Sequence, residues 1–281
     1  IYIKTNQNRF SQSFIINPII WQNSSPFRKM LSYFYMQTSF IIDRKVKNDG
    51  EHLALNPFDS SSDDILGLIK TFSNSLSYNR GKKDNSVTYT FTKNETQNLL
   101  SIGTTQNKNS FHQLQYQHLL QKSWLFDVIA KTLQTTAESQ TFAEKNYKIE
   151  GYIWIPKISY LFSDKVSLDL FYEYISKENQ IGSLDTLKQN RFGTAFSYTG
   201  TSKFNINGEI SLYKNDFAGN EYSSAGYQML EGLQKGQNIT WRTLFQVNLT
   251  KFLDLNLVYQ GRKSETSDAI HAGSIELRAY F

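Results

Sequence analysis

Apolar and polar side chains alternate with a period of two residues along much of the chain. In the last segment, Ile275, Leu277 and Ala279 share one face of a predicted strand, while Glu276 and Arg278 share the other. The same alternation recurs in earlier segments, around residues 87–92, 124–131, 166–175, 204–212, 241–249 and 253–260. A period of two is typical of strands with one apolar face, so the pattern predicts an all-β fold.

The connections between these predicted strands alternate in length. Short ones lie near residues 121–123, 163–165, 200–202 and 250–252, and longer ones near residues 136–146, 176–188 and 214–237. Outer-membrane barrels have short periplasmic turns, long external loops and, in bacterial single chains, an even strand number. Counting back from Phe281 predicts a transmembrane antiparallel up-and-down β-barrel of about fourteen strands, in a range of about twelve to sixteen, with periplasmic N- and C-termini.

The early part of the chain fits this count less well. The first strand is expected near residues 12–21, rising from the periplasm. Residues 46–64 contain Asn56, Pro57, Asp59 and three consecutive serines, which favour a loop, although the count places them on the side of the short turns. Either this stretch is a periplasmic excursion or one early strand is miscounted, and its role stays open.

A soluble β-barrel also alternates, with its apolar face turned inward, so the pattern alone does not distinguish the two classes. Aromatic side chains near the strand ends favour a membrane barrel, because such residues collect at membrane interfaces. Seven residues are predicted to form two interfacial belts: Trp124, Phe162 and Phe252 beside short turns, and Tyr172, Tyr174, Trp241 and Tyr259 nearer the long loops.

Composition narrows the function classes. Aromatic residues make up 15% of the 281 residues, and cysteine is absent, which suits an oxidising envelope. The mean hydropathy of −0.48 is that of a soluble chain, but a membrane barrel alternates lipid-facing and lumen-facing side chains and so has a low average too. The formal net charge of +5 comes from scattered lysines and arginines, which argues against a nucleic-acid partner.

The C-terminus resembles the assembly signal of bacterial outer-membrane proteins. Ile275, Leu277 and Ala279 alternate toward the terminal aromatic residue Phe281, although the glycine often found five residues before that aromatic is Glu276 here. The resemblance implies recognition by the barrel-assembly machinery during insertion.

The last fifty residues are similar to the C-termini of large outer-membrane proteins of Bacteroidota. The similarity lies in residues 232–238 with Trp241, in residues 261–265 and in residues 270–274. It implies that residues 1–281 form a single barrel domain at the C-terminal part of a longer protein with upstream periplasmic domains. It also implies membership in multi-subunit assembly, secretion or uptake complexes.

Candidate chemistry is sparse. His112 and His118 share a strand face, but six residues of strand separate them by about 20 Å, too far for one metal ion. His271 lies near Ser274 in sequence without a third catalytic partner, and residues 59–64 lack the glycine and terminal glutamate of an EF-hand calcium loop. We therefore predict no enzyme activity and no catalytic, cofactor or metal site.

Two functions fit these predictions. The first is a membrane anchor or scaffold subunit of a larger cell-envelope complex, and the alternative is a porin-like diffusion channel for small solutes. Either would lie in the outer membrane of a Gram-negative bacterium. The expected partners are outer-membrane lipid and lipopolysaccharide, the assembly machinery and other envelope proteins.

Overall fold

In the described residues, thirteen antiparallel strands form one sheet, in which each strand pairs with its neighbours in sequence. The computed structural model describes residues 5–18, 25–47, 65–81, 84–200 and 204–280. The strands are β1 (Thr5–Ile16), β2 (Phe34–Lys47), β3 (Ile65–Tyr78), β4 (Ser86–Leu100), β5 (Gly103–Leu120), β6 (Trp124–Ser139), β7 (Tyr147–Ser163), β8 (Val166–Asn179), β9 (Thr186–Thr199), β10 (Phe204–Ala218), β11 (Gly236–Thr250), β12 (Leu253–Ser264) and β13 (Ser267–Ala279). The predicted all-β, up-and-down architecture is confirmed.

Short helices and a 3-10 turn accompany the sheet in the described part of the chain. Helix α1 (Pro26–Leu31) lies between β1 and β2, the 3-10 turn (Ala143–Lys145) between β6 and β7, and helix α2 (Ser224–Leu230) between β10 and β11. Among the helices of the described ranges, none is long and apolar enough to cross a membrane.

The two faces of the sheet have an inverted pattern of burial. On the apolar face, Leu170, Phe192 and Ile210 are each more than half exposed, whereas Asp127 and Ser159 on the opposite, polar face are 3% exposed. In soluble proteins large apolar side chains are usually buried and charged ones exposed. Exposed apolar and buried polar faces are the arrangement of a transmembrane barrel wall.

The sheet has two rims, whose connections differ in length over most of the chain from β5 onward. At the short-connection rim lie residues 121–123, 164–165 and 251–252, as predicted, but α1 also lies at this rim, between β1 and β2. At the long-loop rim lie two-residue turns at 101–102 and 265–266 and the longer loops of residues 140–146, 180–185 and 219–235. These loops are shorter than predicted, because the strands continue past the alternating segments. Lys177 still pairs with Leu187, and Asn215 with Gly236, so hydrogen bonds between backbones extend the ladder where apolar alternation has ended.

The thirteen strands of the described ranges lie within the predicted range of strand number, but their number is odd and not the predicted even fourteen. The expected first strand at residues 12–21 is wrong in position, since β1 ends at Ile16 and α1 begins at Pro26. With an odd number of antiparallel strands, β1 and β13 run in the same direction. The start of β1 therefore lies at the long-loop rim and the end of β13 at the opposite rim, which does not match the prediction of both ends on one side.

The prediction for residues 46–64 fails at the two strands that flank this stretch. Val46 and Lys47 belong to the end of β2, and residues 48–64 lie outside the described residues. Eleven strands, β3 to β13, follow, which is an odd number where the sequence count assumed an even one. The end of β2 and the start of β3 therefore lie at the long-loop rim and not on the side of the short turns.

Candidate functional site

The predicted interfacial aromatics lie at different heights on the sheet. Trp124 begins β6, Phe162 is next to the end of β7, and Phe252 lies in the connection before β12, all at the short-connection rim. The Trp124 and Phe162 rings both contact Tyr160, with centroids 4.6 and 4.5 Å from its ring. The other four lie farther along their strands, toward the long-loop rim: Tyr172 and Tyr174 on β8, Trp241 on β11 and Tyr259 on β12.

The predicted assembly signal occupies the apolar face of β13. Ile275 lies opposite Leu257, Leu277 opposite Leu255 and Ala279 opposite Leu253. Ile275 is 77% exposed, so this last strand presents apolar side chains outward. Phe281 lies outside the described residues, and the role of the signal stays a prediction.

The histidines considered for chemistry are not brought together. His112 Nδ1 lies 2.8 Å from the Tyr89 hydroxyl, and His271 Nδ1 lies 2.8 Å from the Tyr259 hydroxyl. His271 faces the apolar side of β13, whereas Ser274 faces the polar side, so they do not form a nucleophile–base pair. Within the described ranges, no three His, Cys, Asp or Glu side chains are grouped as metal ligands would be.

The polar face is held together by hydrogen bonds between neighbouring strands. Asp127 on β6 accepts bonds from Gln115 at 2.9 Å and from Gln117 at 2.8 Å, both on β5, and Lys157 Nζ on β7 lies 4.0 Å from the same carboxylate. A buried carboxylate is costly unless it is paired and hydrogen-bonded, and these donors offset that cost.

Arg191 forms the centre of a larger network on the same face. Its guanidinium nitrogens lie 2.9 Å from Glu173 and 2.5 Å from Glu209, and its Nε donates to Ser211. The Phe171 ring lies 4.8 Å from the guanidinium carbon. Arg191 therefore joins β8, β9 and β10 through charge-assisted hydrogen bonds, which are stronger than neutral ones.

The connection of residues 219–235, the covering loop, folds back over the polar face. Its helix α2 begins at a Ser223 cap whose hydroxyl accepts a bond from the Gly226 amide at 2.9 Å. It ends at Glu231, which adopts a left-handed conformation with φ of 54°. A side chain at Gly226 would collide with the Asn220 carbonyl, so this turn requires glycine. Local sequence thus fixes the shape of the loop.

A buried carboxylate fixes the start of the covering loop. Asp185, in the β8–β9 connection, is 0% exposed and accepts bonds from the Asn220 amide at 3.1 Å and from Asn179 Nδ2 at 3.3 Å. Ser183 donates a third, short bond. Two loops of the long-loop rim are therefore joined through one side chain.

The end of α2 is fastened to the sheet by a buried lysine. Lys177 on β8 is 5% exposed, and its ammonium lies 2.6 Å from the Glu231 carboxylate and donates to the Met229 carbonyl at 3.2 Å. Farther along the loop, Arg262 Nη1 donates to the Gly232 carbonyl at 2.8 Å.

Apolar side chains seal the loop against the sheet. Met229 and Leu230 of α2 are 1% and 2% exposed. They pack on polar-face positions at the long-loop rim, where five apolar side chains form a patch: Leu133, Tyr147, Ile149, Leu187 and Phe217. Burying this patch stabilises the folded-back position of the loop, because apolar area is removed from water.

This sealed loop was not predicted from the sequence. The sequence does contain a sign of it, because near the strand ends apolar residues switch to the other face. On β10 the apolar residues occupy even positions up to Leu212, whereas Phe217 occupies an odd position and so faces the polar side. On β7, Tyr152 and Trp154 face the apolar side, whereas Ile149 faces the polar side. An apolar residue at a position that faces the polar side indicates that another segment covers that face.

Below the covering loop, side chains of the polar face line an open-sided cavity of about 720 Å³. Charged side chains reach it from β8 to β12, and Glu231 and Leu233 reach it from the loop. A second cavity of about 500 Å³, lined by Thr132, Gln134 and Glu150 among others, involves the opposite side of β6 and β7. The larger cavity has the volume of small-molecule sites, which is roughly 300–1,000 Å³.

Known proteins resemble this chain in fold. No protein-family model and no curated protein sequence matches it. The ferric-catecholate import receptor Fiu of E. coli K12 has a TM-score of 0.50 at 9% identity, over 97% of this chain and 56% of the receptor. CdiB from Acinetobacter baumannii has a TM-score of 0.48 at 10% identity, over 99% and 54%. The NanC porin has a TM-score of 0.42 at 12% identity, over 75% and 94%.

These structural neighbours are outer-membrane β-barrels. At such low identity the similarity to Fiu concerns the fold alone, and this chain spans 56% of that receptor. The fold is therefore an antiparallel up-and-down sheet of thirteen strands that matches the walls of outer-membrane barrels.

Proposed function

We propose that this chain is an outer-membrane β-barrel that acts as the membrane anchor or scaffold subunit of a larger cell-envelope complex. The apolar face would contact lipid, and the polar face would line the lumen. The inverted burial supports this location, since apolar side chains such as Leu170 and Ile210 are more than half exposed. In water such a surface would favour aggregation.

The covering loop is the observation that carries the anchoring role. It is joined to the polar face by Lys177 and Asp185 and sealed by Met229 and Leu230. A diffusion channel needs an open, water-filled passage, and wide passages of this kind are formed by barrels of sixteen to eighteen strands. A wall of about thirteen strands with one loop folded onto its inner face favours a closed lumen.

Planar-bilayer recording tests the proposal. The purified barrel is expected to give no steady conductance steps, whereas a variant in which residues 220–234 are replaced by a short Gly–Ser linker should conduct. The matched control replaces residues 180–184, in a neighbouring loop of that rim, in the same way. Large steady currents from the unaltered monomer would contradict the anchoring role.

Membrane location is tested separately by folding. After refolding in non-ionic detergent or lipid vesicles, the chain is expected to migrate faster in unheated than in heated electrophoresis samples. Cells that produce the full-length protein should retain it in the outer-membrane fraction, and recovery in the soluble fraction would contradict the location.

The alternative function, a porin-like diffusion channel for small solutes, is favoured by one observation. A cavity of about 720 Å³ with charged walls lies on the polar face beneath the loop, as a solute pathway would. The same recordings separate the two functions, because a channel conducts without any change to the loop.

A further inference from the structure

We propose that the cavity beneath the covering loop binds a small solute that carries a carboxylate or phosphate group. This inference goes beyond anchoring and concerns a recognition site on the polar face. It stands on the groups that line the cavity and not on whether the lumen conducts.

Hydrogen-bond donors in this cavity are free. Arg242, Gln260 and Tyr213 line it, and none of their side chains makes a hydrogen bond or ion pair with another described residue. Arg262 uses one guanidinium nitrogen to bind the Gly232 carbonyl and has no carboxylate partner within the described ranges. A guanidinium has five donors, so most of the donor capacity of these two arginines is available.

Carboxylates in the cavity are already engaged. Glu173 and Glu209 both pair with Arg191, and Glu231 pairs with Lys177. Counting Lys177, four cationic side chains therefore face three carboxylates. A ligand that enters this cavity meets free hydrogen-bond donors, while the carboxylate acceptors are already paired. The cavity therefore favours a negatively charged ligand with several hydrogen-bond acceptors.

Strand register places Arg242 and Arg262, the two arginines without a carboxylate partner among the described residues, side by side. Arg242 on β11 lies opposite Gln260 on β12, and Arg262 is two residues beyond Gln260 on the same face. Such diagonal neighbours have Cα atoms about 7–8 Å apart, within the reach of two long side chains toward one oxyanion. Arginine binds carboxylate and phosphate through paired hydrogen bonds, which gives geometric selectivity.

The remaining walls of the cavity are partly apolar and suit the uncharged part of a small organic ligand. Ile153, Ile175 and Leu233 contribute apolar surface to the same cavity.

Asp169, which has no partner among the described residues, lines a neighbouring cavity of about 380 Å³ that Arg242 also borders. Removing the Asp169 carboxylate should thus leave binding intact or strengthen it.

Isothermal titration of the refolded protein in non-ionic detergent tests the proposal. The probes are glucuronate and glucose 6-phosphate, with uncharged glucose as the matched ligand. Both anions are expected to bind at least ten-fold more tightly than glucose. Arg242→Gln should weaken anion binding by about 10- to 100-fold, since a charge-assisted hydrogen bond contributes this much.

Arg278→Gln is the matched control variant, because Arg278 lies on the polar face of β13 and does not line the cavity. It should bind both anions as the unaltered protein does. If Arg242→Gln does not reach the folded electrophoretic form, Gln260→Leu removes the neighbouring amide and should also weaken binding. Equal affinity for anions and glucose, or an equal loss in Arg278→Gln, would overturn the proposal.

Discussion

Replacing Glu231 by glutamine is expected to loosen the covering loop without unfolding the sheet. The change keeps the shape of the side chain but removes the charge that lies 2.6 Å from the Lys177 ammonium. Lys177 is 5% exposed, so its charge would remain buried with the Met229 carbonyl as acceptor. The loop should then open more often, because no carboxylate neutralises the buried charge of Lys177 in the closed state.

The size of the effect follows from the exposure of the two partners. Breaking a fully buried ion pair costs about 3–5 kcal/mol, and an exposed pair contributes about 0–1 kcal/mol. The Glu231 side chain is 67% exposed and the Lys177 side chain 6% exposed, so this pair lies between the two limits. We expect a loss of about 1–2 kcal/mol, which corresponds to about a 5- to 30-fold change in the opening equilibrium.

Hydrogen exchange measured by mass spectrometry reports this opening. The amides of Tyr227, Glu231 and Leu233 donate hydrogen bonds within the loop and exchange when it opens. Their exchange should accelerate by the same factor, while amides of β8 should not change. Glu144→Gln is the matched control, because this exposed glutamate of the neighbouring loop makes no ion pair or hydrogen bond with the described residues.

A second substitution separates charge from packing. In Lys177→Met combined with Glu231→Gln, the buried ammonium is gone, and the loop should be more protected than in Glu231→Gln alone. Exchange that is unchanged in Glu231→Gln, or accelerated equally in Glu144→Gln, would refute the role assigned to the ion pair.

Three further substitutions test other parts of the structure. Phe217→Ala leaves a cavity under α2 and should cost about 3–5 kcal/mol in loop stability, seen as protease cleavage within residues 219–235; cleavage at the rate of the unaltered protein would contradict this. Ile210→Arg, midway along the apolar face, should destabilise folding into lipid vesicles by about 2–4 kcal/mol, whereas the polar-face change Ser197→Arg should have a much smaller effect. Gly193→Ala should reduce the folded yield, because the new methyl group would collide with the Phe171 ring. Gly208→Ala is its control, since its position is open.

Much of the sheet could be predicted from the sequence, because apolar and polar residues alternate regularly on the strands of its C-terminal half. From Trp124 onward, alternation on successive strands and the turns near residues 121–123, 163–165 and 250–252 determine faces and register. Upstream, the apolar residues do not keep to one face of their strand, since Leu68 and Ile69 of β3 are adjacent in sequence, and the period is weaker there. One strand was consequently overcounted, and with it the direction of β1.

The candidate site was much harder to predict. Arg191, Glu173 and Glu209 were visible as polar residues on alternating strands, but their meeting depends on register across β8, β9 and β10. The position of α2 depends on contacts with Ile149 and Leu187, far away in sequence. Period-two patterns describe one strand at a time and contain no information on which loop folds back onto the sheet.

The common direction of β1 and β13 has a consequence for how such a wall could close. A seam made directly between these two edges would be the only parallel pairing in a sheet whose other pairings are all antiparallel. Parallel ladders have slanted hydrogen bonds and are slightly less stable per residue. If the sheet closes in this way, we expect the pairing between β1 and β13 to separate first under mechanical force or on heating.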